Sequence, residues 1–155
     1  MTTVEISDNP EKKDVSRIRA GLNAFNRSVL PSDCRELCVF VRQDGVLIGG
    51  ACGESMWDWV HIARLWIHPA HRNIGLGSRI MGAVECECRR RGCVGIHLDT
   101  FSFQALPFYR KCGFKLFGKI EDHPRGYTQY FLKKLIGSRK AAGKGHTGRR
   151  IASDT

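Results

Sequence analysis

The sequence predicts an α+β domain, with a mixed, mostly antiparallel sheet, one parallel strand pair at its centre and flanking helices. Three observations lead there. Residues 37–67 read as an antiparallel meander of β-rich runs joined by tight turns. The last run, Val60–Ile67, leads through a Gly-rich junction into a helical stretch, Ser78–Arg91. A further strand at 94–98 follows that stretch, so the helix can supply the crossover that parallel neighbours need.

Taken in order, Val4-Glu5-Ile6 alternates briefly and reads as a first strand, closed by Asp8-Asn9-Pro10. From Glu11 to Val29 the apolar residues Val15, Ile18, Leu22, Phe25 and Val29 recur every three or four positions, which predicts an amphipathic helix. Leu37–Arg42 and Val46–Gly53 are strands joined at Asp44-Gly45, a strong hairpin signal. A second return at Trp57-Asp58-Trp59 gives Val60–Ile67. The next helix shows its buried stripe at Leu76, Ile80, Ala83, Val84 and Cys88. Glu85–Arg89 and Glu87–Arg91 are spaced as i,i+4 ion pairs on its wet side, and Gly92 is a natural stop. Val94, Ile96 and Leu98 then alternate. Pro107 confines a short helix over Gln104–Cys112 to a start near Gln104, because proline fits only the first turn. Lys115–Ile120 and Tyr127–Lys134 form a closing hairpin. The predicted order is β-α-β-β-β-α-β-α-β-β over 1–136, followed by a basic tail without apolar period, 137–155, expected to be disordered.

The junction Arg72-Asn73-Ile74-Gly75-Leu76-Gly77 carries the most chemistry. Glycine removes side chains that would hold a ligand away from the backbone. The unpaired N–H groups of the starting helix face that space with the positive end of the helix dipole behind them. This is an anion cradle, and His71, Arg72 and Arg79 add donors or charge beside it. A Gly-x-Gly alone says little; the strand-to-helix context makes it informative.

Length and composition narrow the rest. With 155 residues and 42% apolar content the chain fits one domain with a single core. The opening residues lack a basic-then-apolar layout and no apolar run spans a bilayer, so the expected location is cytoplasmic, without a membrane partner. Seven cysteines argue against a disulfide framework in that compartment. Cys86-x-Cys88-x4-Cys93 invites a metal reading, but helix residues two apart diverge, and core thiols explain the pattern better. The net charge is +10, of which the last 19 residues carry +4. That balance suits an anionic ligand or nucleic acid. The tail contains no aromatic residue to stack on bases, so no specific nucleic acid partner is expected.

Two motifs carry a family resemblance. Leu65-Trp66-Ile67-His68-Pro69-x-x-Arg72-x-x-Gly75-x-Gly77 and, one strand–helix–strand unit later, Phe108-Tyr109-Arg110-Lys111-Cys112-Gly113-Phe114 resemble the GNAT superfamily of acetyl-CoA-dependent N-acetyltransferases. The run Leu98–Ala105 is similar to that of a small bacterial subgroup, and the likeness extends over residues 3–135. It implies that the strands at 60–67 and 94–98 splay and that acetyl-CoA lies in the slot. The pantetheine arm would pair with backbone of Leu65, Trp66 and Ile67. The pyrophosphate would rest on Arg72, Asn73, Ile74, Gly75, Leu76, Gly77 and Ser78. Gln104 stands where relatives often carry a cofactor-contacting Asn.

The resemblance also implies an acid for the departing thiolate, and Tyr109 occupies the family's tyrosine position; the alternative is that it packs beneath the cofactor. Relatives of the subgroup often carry a carboxylate where this chain has Ala63. Glu54 is therefore the nominated base, with His61, Asp99 or a water relay as substitutes. Arg89-Arg90-Arg91 reads as a solvated helix end, and Trp57 or Trp59 as packing or as a wall of the acceptor pocket. The expected activity is acetyl transfer to a primary amine of a small molecule by direct attack in a ternary complex. A protein lysine or N-terminal acetyltransferase and a non-catalytic acyl-CoA sensor are the alternatives. The family's frequent dimers leave a homodimer open.

Overall fold

The computed structural model describes residues 1–137; the expected tail, but for Gly137, lies outside the described residues. Residues 1–34 form a unit of their own, built on helix α1, Lys12–Val29. The helix ends where the N–H of Leu30 donates to the carbonyl of Asn26 (2.8 Å) and the chain turns extended. The strand expected at Val4–Ile6 does not form. Three alternating residues offer too few ladder bonds to hold a strand unless a neighbour is already in place.

The second unit, from Arg35 onward, carries a sheet of six strands among the described residues. They are β1 Arg35–Gln43, β2 Val46–Met56, β3 Trp59–Ile67, β4 Gly95–Phe101, β5 Lys115–Glu121 and β6 Thr128–Leu135. Their order across the sheet is β1-β2-β3-β4-β6-β5, and only β3–β4 is parallel. The meander turns arise from local sequence. Asp44 and Gly45 both have positive φ (50° and 81°), as do Trp57 and Asp58 (49° and 68°). Two-residue turns of that hand match the twist of the strands they join.

Helix α2, Leu76–Arg90, links β3 to β4, and helix α3, Leu106–Lys111, links β4 to β5. Their apolar sides meet one face of the sheet. Val60, Ile96 and Leu132 from the sheet and Val84 and Cys88 from α2 are fully buried, joined by Ile80, Met81, Leu98, Tyr109 and Phe114. Each such aliphatic side chain contributes roughly 1.5–3 kcal/mol by leaving water. The buried side of α2 is Leu76, Gly77, Ile80, Met81, Val84 and Cys88, whereas Ala83 is exposed. The stripe is thus turned toward Gly77 and Met81, where α3 packs against the start of α2. Pro107 sits in the first turn of α3, two residues later than the start expected at Gln104, because residues 102–105 form turns first.

Two basic side chains tie helices to strands. Arg91, expected on a wet helix end, is mostly covered. It pairs with Glu87 at 2.7 Å and donates to the carbonyls of Arg35 (3.0 Å) and Glu36 (2.9 Å) and to Ser55 Oγ (2.9 Å). A guanidinium offers five donors in a planar fork, which lets one side chain hold β1, β2 and α2 together. Lys134 of β6 donates to Glu85 Oε1 (2.5 Å) and to the carbonyl of Cys112 (2.6 Å). Glu85 therefore leans to Lys134, and its i,i+4 pairing with Arg89 is longer, at 3.6 Å.

Candidate active site

The parallel ladder between β3 and β4 has three rungs, Trp59–Gly95, Val60–Ile96 and His61–His97. Beyond the last rung β3 runs on to Ile67 and β4 to Phe101 without pairing to each other. On the β2 side, Cys52 stands opposite Arg64 and Gly53 opposite Ile62, which leaves Ala63 as an extra residue. A bulge bends its strand and resets the alternation of faces. Val60 and Ile62 are buried before it, and Leu65 and Ile67 pack against the same core after it. The sheet splits immediately after His61 and His97.

At the end of β3 the chain closes a short 3-10 turn, Pro69–His71, whose first N–H groups are tied locally: the Ala70 N–H donates to His68 Nδ1 (3.2 Å). Arg72 folds back so that its Nε donates to the carbonyl of Ile67 (3.0 Å). Asn73 (φ 63°) and Gly75 (φ 83°) then take left-handed conformations, and Gly75 becomes the N-cap of α2. Nothing lies within 4 Å of where a Gly75 Cβ would stand. The N–H groups of Leu76, Gly77 and Ser78 belong to the first helical turn, which has no intrahelical acceptors.

Both features open on one cleft of about 640 Å³. The end of β3 (Leu65, Trp66, Ile67) and the turn into α2 (Arg72, Asn73, Gly75, Leu76, Gly77, Ser78) form part of the wall. Phe103, Gln104, Ala105 and Phe108 close the remainder. Gln104 is oriented by its own carboxamide oxygen, which accepts from the Phe101 N–H (2.9 Å) and the Thr100 hydroxyl (3.2 Å). Ile74, expected at the cradle, is exposed and outside the lining. Gly77, also expected at the cradle, lines the cleft and packs against α3 as well. It is buried, and a Cβ there would meet the Phe108 ring at 2.9 Å. Both glycines line the cleft: Gly75 has open space where a Cβ would stand, and Gly77 lets α3 close on α2.

Tyr109 lies beside Phe108, with ring centroids 5.1 Å apart, and is only 7% exposed. It is not part of the cleft lining. Burial, aided by the charges of Cys112 and Asp99, pushes its phenol up to about 12. On the face of the sheet opposite the core, Glu54, Met56, Trp59, His61 and His97 line a separate hollow of about 150 Å³. Asp99 is exposed and accepts from Gln129 Nε2 (2.8 Å). The three base candidates are therefore spread over one face: Glu54 and His61 share the hollow, and Asp99 stands past the split.

A model of the acetyltransferase (GNAT) family matches residues 6–114. This chain is a member of the GNAT family. A blasticidin-S acetyltransferase from Streptomyces morookaense is 40% identical over 93 residues, which cover 59% of this chain and 68% of that protein. An acetyltransferase from Agrobacterium fabrum is 30% identical over 131 residues, covering 83% and 96%. The crystal structure of an acetyltransferase from Bacillus cereus superposes with a TM-score of 0.78 at 31% identity, over 85% of this chain and 98% of that one. The expected family, the mixed sheet and an acetyl-CoA-dependent acyltransferase activity are thereby established for this GNAT chain.

Sequence reasoning missed three cleft residues of this GNAT domain and, on the far face, Met56 and His97. Phe103, Ala105 and Phe108 stood in recognised runs, but nothing in their spacing said that they face the cleft. Phe103 is held by stacking on Phe101 (5.3 Å) and by Tyr127 edge-on (4.9 Å), contacts that only the fold creates. His97 sits within an alternating strand, and the sign of its interest was available: it is the one polar residue between Ile96 and Leu98. Among the described residues no cluster of three or more metal-ligating side chains occurs, and no helix is long and apolar enough to cross a membrane.

Proposed function

We propose that this GNAT domain transfers an acetyl group from acetyl-CoA to a primary amine of a small molecule by direct attack. The observation that carries the reading is that the end of β3, past its last rung with β4, and the uncapped start of α2 line a single cleft. The fit to the donor is chemical. The N–H groups of 76–78 and the Arg72 side chain suit a diphosphate, and open space above Gly75 lets it approach the backbone. Strand backbone at Leu65–Ile67, paired to β2 on one edge and without a β4 partner on the other, suits an amide-bearing arm, as an added strand would. Acetyl-CoA supplies an activated acyl group.

The residues then have distinct tasks. Backbone N–H at the end of β3 stabilises charge on the acyl oxygen. Gln104 and Phe108 hold the donor against the start of α3. Tyr109 keeps its proton through neutral pH and acts as the acid toward the departing thiolate. A small amine acceptor is supported by the 40% identity to an enzyme named for blasticidin S, so blasticidin S heads the amine panel.

The test combines binding and turnover. Acetyl-CoA is expected to raise the melting temperature, and Gly75→Glu to abolish that shift by placing a carboxylate in the cradle. Thiol release from acetyl-CoA is then followed against blasticidin S and a panel of polyamines, aminoglycosides and amino-acid amides. No thermal shift at saturating acetyl-CoA would overturn the donor site. Acetylation confined to peptide amines would overturn the small-molecule acceptor.

A further inference from the structure

The rung at which the sheet divides is a pair of histidines. His61 and His97 are register partners, and their rings stack at 4.7 Å and 15°. Trp59 stands edge-on to His97 at 6.1 Å. Strand residues alternate, so the pair projects away from the face that buries Val60, Ile62, Ile96 and Leu98. Glu54, the register partner of His61 on β2, completes the hollow together with Met56. At about 150 Å³ the hollow has room for an alkylammonium head but not for a large molecule.

Its walls combine one carboxylate, an indole and two imidazoles. A carboxylate and an aromatic face attract an ammonium ion, and a neutral imidazole can take a proton from it. Four charged or titratable groups surround His97: His61 on β3, Glu54 on β2, Lys133 as its register partner on β6, and Asp99 on its own strand. Burial, then the neighbouring His61, lowers the pKa of His97 from its usual 6.5, and Asp99 works against them. The first two effects favour the neutral ring.

We propose that this hollow receives the ammonium head of the acceptor and that His97 removes its proton as the amine enters the split. The inference rests on the acetyltransferase reading above and supplies the base that Ala63 cannot. R–NH3+ gives a proton to the His97 imidazole. The freed nitrogen lone pair forms the C–N bond to the acetyl carbon, and the C–S bond breaks with its electrons going to sulfur. The nitrogen then sheds a second proton, and the thiolate takes one up. The sum is R–NH3+ plus acetyl-CoA giving R–NHAc, free CoA thiol and one proton, which His97 releases to water. Glu54 and Trp59 position the cation, and His61 keeps the His97 ring in place by stacking.

Two measurements on the full chain test this. In the first, the imidazole NMR signals, assigned with His61→Asn and His97→Asn, are followed during titration with butylammonium chloride and, separately, neutral butanol. Saturable movement of the His61 and His97 signals with butylammonium alone is expected, weakened about tenfold by Glu54→Gln. Signals that stay still, or move equally with butanol, would overturn the site.

In the second, the amine that the wild type acetylates fastest in the panel is the substrate. His97→Asn is expected to lower kcat/KM about 100-fold near neutral pH. The loss should shrink toward about pH 9–10, where more amine arrives unprotonated, and added imidazole should restore part of the rate. Acetyl-CoA affinity and melting temperature, measured on the same variant and on His97→Gln, should stay within about twofold and a few degrees of wild type. A wild type that does not bind acetyl-CoA sinks the donor reading and leaves the NMR arm to decide this site. A wild type that turns over normally, matched by both His97 variants at every pH, sinks this inference alone.

Discussion

Gly77 lies directly beneath the ring of Phe108: a Cβ at position 77 would stand 2.9 Å from ring carbons Cε2 and Cζ, with Ile67 Cδ1 at 3.5 Å. That contact joins the first turn of α2 to the first turn of α3, the two helix starts that border the cleft. Gly75, two residues earlier, has the reverse character, with open space around it and a left-handed backbone. Gly77→Ala is therefore expected to cost about 1–3 kcal/mol by overpacking and to weaken acetyl-CoA binding, because Phe108 must move. Gly75→Ala should cost about 1 kcal/mol through backbone strain alone. Denaturant melts and acetyl-CoA titrations of the two variants check this; equal binding losses would contradict the division of labour.

Arg91 and Arg90 are neighbours with opposite fates. The Arg90 guanidinium meets Glu87 in solvent, whereas that of Arg91 reaches across to two backbone carbonyls and Ser55. Arg91→Ala should lower stability by about 1–3 kcal/mol, since it takes the donor from the buried Ser55 hydroxyl and from two strand carbonyls as well as removing the cation. Arg90→Ala should stay within about 0.5 kcal/mol. Thermal melts in which the two substitutions fall together would show that Arg91 is no tie.

Acid should act through Glu87. Hydrogen bonds from Arg90, then Arg91, hold its carboxyl at about 2 against an ordinary 4.5. As pH falls, the unfolded chain takes up this proton first, so the contribution is complete above about 4.5 and is lost as pH drops through about 2. Glu87→Gln is expected to flatten that limb of the stability–pH curve and to leave the curve near neutrality parallel to wild type. An unchanged acid limb would refute the linkage.

Tyr109→Phe separates chemistry from packing. The ring contacts with Phe108 and Phe114 survive the substitution, and only the phenol, held near 12, is lost. A fall in kcat of about tenfold or more, with acetyl-CoA affinity unchanged, is expected if the phenol protonates the thiolate. A rate equal to wild type would leave Tyr109 as packing.

How far the sequence could be read differs from element to element. Asp44-Gly45 and Trp57-Asp58 announced their turns because positive φ is a local demand. The glycine turn into α2 was legible for the same reason: Gly75 and the start of α2 are set within a few residues. Arg91 was misread as solvated because its acceptors, Arg35, Glu36 and Ser55, lie more than thirty residues away. Ala83 was placed inward and Met81 overlooked because helical periodicity gives a face but not its centre, which Phe108 sets by closing on Gly77. Val4–Ile6 alternated as a strand does, yet alternation without a partner forms none.

The sequence by itself determined the kind of protein: the order of turns, strands and helices from Arg35 onward, the glycine turn that starts α2 and the family, all carried by residues close together in the chain. Only the tertiary structure decided where β3 and β4 part, which side chains face the cleft, and that Glu54, Trp59, His61 and His97 share one hollow. Register between strands is a property of the assembled sheet, and a one-residue bulge at Ala63 is enough to exchange its faces.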